Sequence, residues 1–159
     1  TGKIYNKREN FTEAAKYLQE AINLYEDDQE RADVHFLLAN VYFQLKRYAD
    51  ARSECYASLK VRPNDGKSYI LIGDLYASSA KDCGEGDFFS KVTYWVAVDK
   101  YFQAKNVDPD VAELAQTKIN TFSQYFPATE QIFFHDLKEG DSFTVECWIN
   151  ETTTVRSSD

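Results

Sequence analysis

The stretch from Ala32 to Asp65, ADVHFLLANVYFQLKRYADARSECYASLKVRPND, constrains this chain more than any other. It carries two helical patterns in succession, first Leu38, Ala39 and Tyr42, then Tyr48, Ala51, Cys55 and Ser58. Residues three and four apart share one helix face, so each set forms a stripe that must be buried. Ala39, Ala51 and Ser58 are small enough to let two antiparallel helices approach closely, while Tyr42 and Tyr48 fill the wider gaps. Pro63 lacks the backbone donor a helix needs to continue, so the pair stops there.

The same pattern recurs along the chain. Gly2 and Tyr5 are spaced like Ala39 and Tyr42, and like Gly73 and Tyr76. Phe11, Ala14, Leu18 and Ala21 repeat the spacing of Tyr48, Ala51, Cys55 and Ser58. Thr1 to Asn6 therefore reads as the tail of one helix and Asn10 to Tyr25 as its partner, with Glu26, Asp27 and Asp28 in a polar turn. Ala39 to Gly73 is 34 residues, a length shared by stacked helix–turn–helix units. After Tyr76 the register slips by 12 residues and resumes at Ala97, Tyr101, Ala104 and Pro109. The inserted segment, about residues 79–90, contains CGEGDFF, whose two glycines predict a loop. Asp110 to Phe126 reads as one more helix, with the large Ile119 at the place of the usual small residue, and Pro127 ends it.

These markers resemble the tetratricopeptide repeat (TPR), and the resemblance implies an all-α fold: an α-solenoid of antiparallel helix pairs. Residues 1–127 divide into a truncated first repeat (1–28), a second (32–65), a third with the insertion (66–110) and a capping helix (111–127). A half repeat at the start implies further repeats upstream, because a unit without its neighbour leaves a face uncovered. Residues 128–159 form a C-terminal addition. Ala128 to Asp136 predicts a short helix whose Ile132, Phe133 and Phe134 pack back on the stack. Phe143, Val145, Cys147 and Ile149 then alternate with polar or aromatic neighbours, and Thr152 to Val155 is β-branched throughout, which predicts a β-hairpin turning at Asn150-Glu151. A two-residue turn there would put Val155 on the opposite face from Val145 and Cys147, so the register stays open. This ending is also similar to those of certain exported bacterial TPR proteins of unassigned activity, which favours a periplasmic or cell-envelope location.

Composition narrows the function. A net charge of −8 disfavours nucleic acid, whose phosphates select clustered Lys and Arg, and disfavours anionic membrane surfaces. No apolar run is long enough to span a bilayer. There is no HExxH, CxxC, Walker or GxSxG motif. His35 falls on a packing face, and His135 and Asp136 are sequence neighbours that a helix points apart. Asn150-Glu151-Thr152 matches a glycosylation acceptor, a tripeptide common by chance. The chain therefore reads as a non-enzyme with no cofactor, metal or small-molecule substrate. Cys55 lies in the packing pattern, whereas Cys83 and Cys147 lie in the insertion and the hairpin. Those two either pair, tying one embellishment to the other, or remain free thiols, and the redox compartment decides between these readings.

What remains is a binding or assembly role. The TPR resemblance implies that the first helix of each pair lines a concave groove for a peptide or helix of a partner protein. The matching places are Asp33, Phe36, Leu37, Asn40, Phe43 and Gln44, then Lys67, Ile70, Leu71, Asp74 and Ala77, then Gln116, Thr117 and Asn120. Asn40 and Lys67 alone match the carboxylate clamp of chaperone-binding TPRs. Phe36, Leu37, Phe43, Ile70 and Leu71 form an expected apolar strip, rimmed by Asn40, Asp74 and Lys67. The alternative is a structural or assembly segment in which the strip is core or covered by a further repeat.

Overall fold

Asp27 opens the first complete helix pair. Its carboxylate accepts from the Glu30 amide at 2.9 Å, satisfying one of the orphan donors of α2 (Asp28–Gln44). The computed structural model describes residues 2–159, with side chains from residue 7 onward. Of the helix tail expected at Thr1 to Asn6, Thr1 itself and the packing of the Gly2 and Tyr5 markers lie outside the described residues. Ahead of α2 runs α1 (Gly2–Leu24), one unbroken helix where a break was expected before Asn10. The physical reason is plain in the sequence: Lys7, Arg8 and Glu9 are strong helix formers, and no Gly or Pro interrupts them. The buried small residue of α1 is Ala15 rather than Ala14, which is only half-buried.

Lys46, in the left-handed region at φ 58°, turns the chain from α2 into α3 (Tyr48–Val61). Arg62 and Pro63 lead out of α3 into α4 (Gly66–Ser78). The insertion is not a bare loop. It contains a 3₁₀ turn (Ala80–Asp82) and the short helix α5 (Asp87–Lys91), whose Phe88 is buried. Gly86 supplies the positive φ of 85° that starts α5. Then follow α6 (Thr93–Val107), a 3₁₀ turn at Pro109–Val111, α7 (Ala112–Ser123) and α8 (Thr129–Phe134). The long helices pack in order, α1 on α2, α2 on α3, α3 on α4, α4 on α6 and α6 on α7. The result is an α-solenoid of TPR-like antiparallel helix pairs ending in a two-stranded hairpin.

One contact fixes how α4 and α6 approach. A Cβ placed on Gly73 would stand 2.5 Å from the ring of the fully buried Tyr101, so only hydrogen fits there. Ala39, Ala51 and Ala97 are likewise fully buried. They leave the volume that Leu38, Ile72, Tyr76 and Trp95 fill, each with no exposed surface.

The C-terminal segment folds back onto this stack. Strands β1 (Ser142–Val145) and β2 (Glu151–Thr154) pair antiparallel, with Val145 opposite Glu151 and Phe143 opposite Thr153. The first strand stops at Val145, short of the expected Ile149, and the turn spans residues 146–150. Five turn residues change the parity of the register, so Val155 shares a face with Val145 and both are buried. Left-handed Cys147 (φ 65°) and Asn150 (φ 50°) bend the turn, which lays Trp148 against Tyr48 and Tyr76 at centroid distances of 5.8 and 5.3 Å. Two arginines hold the segment down. Arg52 donates to the carbonyls of Ile149 (2.8 Å) and Trp148 (3.0 Å), and Arg156 donates to the Trp95 carbonyl and to Asp99, both at 2.8 Å. Ile132 alone of the three apolar residues of α8 is buried; Phe133 and Phe134 point outward, because a six-residue helix presents one face to the stack.

Cys83 and Cys147 are joined in a disulfide across 64 residues, with Cα atoms 5.4 Å apart. Closing a loop of that length stabilises the fold by about 4 kcal/mol in the chain-entropy picture. Cys55 is free and buried, and burial pushes its thiol up to about 12. Alkylation followed by intact mass should therefore find no adduct on the native protein, one after unfolding without reductant, and three after reduction. Gly73→Ala should lower stability by about 1–3 kcal/mol in denaturant titration, since the intruding methyl meets a ring with nowhere to go.

Candidate functional site

The first helices of the pairs, α2 and α4, and the closing helix α7 supply the residues expected to line a groove. Between them lies a cleft of about 300 Å³ bordered by Phe43, Asp74, Ala77, Ser78, Lys118 and Phe122. Phe43 is half-buried, its ring 6.2 Å from that of Tyr48. Phe122 stacks on Tyr101 at 5.7 Å, so the aromatic floor of the cleft continues into the core. Asp74 accepts two hydrogen bonds, from the Tyr101 hydroxyl at 2.6 Å and from Lys118 Nζ at 2.8 Å. Burial, and then the Asp74 charge, raise the Tyr101 hydroxyl far above the ordinary tyrosine range, so it stays a neutral donor. A charge pair on an aromatic floor can orient a polar group of a ligand, with no nucleophile–base pairing among these residues.

The other expected positions separate into three groups. Leu37 and Gln44 are exposed on α2, Leu37 at 53%, and Phe36 is half-buried with Lys67 Nζ 4.7 Å above its ring. Asn40 spends its side-chain amide on the Phe36 carbonyl of its own helix, at 2.9 Å. Ile70 and Leu71, in contrast, are 6% and 5% exposed and belong to the core. The expected continuous apolar strip is thus interrupted at α4: two adjacent helix positions there turn inward, where Ile70 and Leu71 join the cluster around Tyr76 and Tyr101. Asp33 is engaged by Arg62 at 2.6 Å, which holds its carboxyl below the usual carboxylate range. Gln116 and Asn120 bond each other at 2.8 Å, and Thr117 bonds back to the Glu113 carbonyl.

Lys118, Phe122 and Ser78 border the cleft although they were not among the expected groove positions. The signal for two of them was available. Lys118 and Phe122 are four apart, so a helix that turns one toward α4 turns the other with it. His35 bonds Glu54 at 2.5 Å across the α2–α3 interface, and His135 stacks on Phe88 with centroids 3.9 Å apart. Among the described residues no cluster of His, Cys, Asp and Glu could hold a metal ion, and no helix is long and apolar enough to cross a membrane.

Residues 6–75, a little under half of the chain, match the family model for the tetratricopeptide repeat. That family is generally non-catalytic, and its repeats generally mediate protein–protein interaction or scaffolding. The match covers α2, α3 and most of α1 and α4, and stops before Lys118 and the C-terminal hairpin. No curated protein matches the chain, so the similarity of its ending to exported bacterial proteins gains no support.

Asp74 and Lys118 are each about a quarter exposed and tie α4 to α7. Lys118→Met should destabilise the fold by about 1 kcal/mol, and Asp74→Asn in the same background should recover part of that loss. Equal effects of Lys118→Met with and without Asp74, in a double-mutant cycle on thermal unfolding, would show the pair is uncoupled.

Proposed function

We propose that this chain is a protein-interaction scaffold, holding a peptide or helix of a partner protein along the α2–α4–α7 face. The observation that carries the reading is the cleft between Phe43, Ala77 and Phe122, with the Asp74–Lys118 pair at its edge. An apolar side chain of the partner enters the cleft, and Phe36, Leu37, Asn40, Gln44, Lys67 and Asp74 meet the flanking backbone and polar groups. Ile70 and Leu71 act from beneath, by fixing the spacing of α4 against α6, rather than by touching the partner. The match of residues 6–75 to a family of interaction repeats supports the same reading. In this assignment residues 1–127 form the repeat part and 128–159 close its end.

A second reading, an assembly segment of a longer stack, is favoured by α1. Tyr17 is 66% and Leu24 80% exposed, and with the half-buried Ala14 and Ala21 they form an outward stripe that a further helix pair would cover. The disulfide supports an oxidising compartment for either reading, such as the periplasm or cell envelope.

Peptides selected from a random displayed library on the immobilised protein test the scaffold reading. The double variant Phe36→Ser/Phe43→Ser should lose the selected peptides by tenfold or more, about 1.4 kcal/mol, while melting close to the parent. A collapse of thermal stability would show that these rings are core, and unchanged peptide affinity would place binding elsewhere.

A further inference from the structure

The barest aromatic surface of the chain lies away from that cleft. On α8, Phe133 is 80% and Phe134 81% exposed, and Phe89 of α5 adds a third ring at 45%. Single exposed leucines are ordinary on any surface, but adjacent bare phenylalanines concentrate apolar area and mark contact sites. Next to them Phe88, Glu130, Gln131, Phe134 and His135 line a second cleft of about 300 Å³. Its floor is firm, because His135 stacks on the buried Phe88. Its two walls are fastened by Gln131, which donates to Asp87 at 2.6 Å while its carbonyl oxygen accepts from the Ala128 amide at 3.1 Å and from Lys91 at 3.3 Å. Asp87 is further closed by Lys91 at 2.9 Å. Glu130 differs from both neighbours: among the described residues its carboxylate enters no ion pair and no side-chain hydrogen bond, although it stands at the mouth of an aromatic cleft.

We propose that this cleft is a recognition site for an arginine side chain on a basic segment of a partner protein. A guanidinium can lay its flat face on the Phe134 ring and turn its donating edge to the Glu130 carboxylate, engaging a π face and a bidentate acceptor at once. Lysine is a point charge on a flexible stem and matches this pairing less well. The net charge of −8 draws basic segments toward the surface from a distance. Phe89, whose ring meets His135 edge-on at 5.4 Å, flanks the cleft and receives an apolar neighbour of that arginine. The site shares no residue with the α2–α4–α7 face, so the two proposals stand or fall separately.

The test is calorimetric titration with a nine-residue peptide carrying one arginine flanked by leucines, beside the same peptide with citrulline or lysine in its place. The arginine peptide should bind the parent, and citrulline should weaken it severalfold. Glu130→Gln and Phe134→Ser should each weaken it roughly threefold with unchanged circular dichroism, the size expected of an exposed charge pair and an exposed cation–π contact. No binding at millimolar peptide, equal affinity for arginine and citrulline, or indifference to both variants would overturn the proposal. Lysine binding as well as arginine would overturn the choice of ligand. Two further results would reassign the bare rings, and so overturn it: co-sedimentation with phosphatidylcholine vesicles lost in Phe133→Ser, or a concentration-dependent dimer lost in Phe134→Ser.

Discussion

The guanidinium of Arg52 is where three separately encoded parts of this chain meet. It projects from α3, bonds the Tyr76 hydroxyl of α4 at 3.1 Å, and donates to the Trp148 and Ile149 carbonyls of the hairpin turn. The same group lies 4.8 Å from the centre of the Trp148 ring. Turn carbonyls have no ladder partner of their own, and leaving them unpaired against the helices would cost free energy comparable to lost hydrogen bonds. Arg52 removes that penalty and holds the indole over Tyr48. The Tyr76 hydroxyl donates in turn to Glu151 at 2.5 Å, and Lys100 pairs with Glu151 at 3.2 Å, so the polar chain runs from α3 through α4 and the hairpin to α6. Polar groups linked in this way constrain geometry more tightly than apolar contact, because each loses its partner if any member shifts.

A stack of helix pairs has two ends, and the chain treats them differently. At the C-terminal end α7, α8 and the hairpin cover the last pair, and Val145, Ile149 and Val155 join the same core cluster as Trp95 and Tyr101. Arg156 repeats the role of Arg52 there, bonding Asp99 and the Trp95 carbonyl while the Trp95 indole donates back to the Arg156 carbonyl at 2.8 Å. The other end, along α1, keeps large apolar side chains in solvent.

How much of this was legible in the sequence follows from which features are local. Helix pairs are specified by spacings within a few turns, so Ala39, Ala51, Ala97 and Gly73 announced the interfaces they occupy. The hairpin was legible as two β-prone runs, yet its five-residue turn was not. Alternation from Phe143 to Ile149 continues past the point where Cys147 enters the left-handed region, which is a consequence of contacts with α3, α4 and the insertion. The groove was legible as a set of helix positions but not as a surface. Ile70 and Leu71 occupy places that line a groove by register, and only the packing of α4 against α6 decides that they turn inward. Phe133 and Phe134 failed in the opposite direction: hydrophobicity alone suggested burial, and a helix of six residues has too little inward face to deliver it.

The contacts of Arg52 also bear on the order in which the molecule is made. Its hydrogen bonds to Trp148 and Ile149 span 96 and 97 residues, whereas α2 and α3 are joined through a three-residue turn. Closing a short loop is entropically cheap and fast, so the helix pairs can assemble as they leave the ribosome. The hairpin must wait until residues 142–156 are synthesised, and during that interval Tyr48, Tyr76 and Trp95 are without the Trp148, Phe143 and Arg156 that later cover them. The nascent chain therefore passes through a stage with a helical body and an open aromatic seam, and the hairpin closes it.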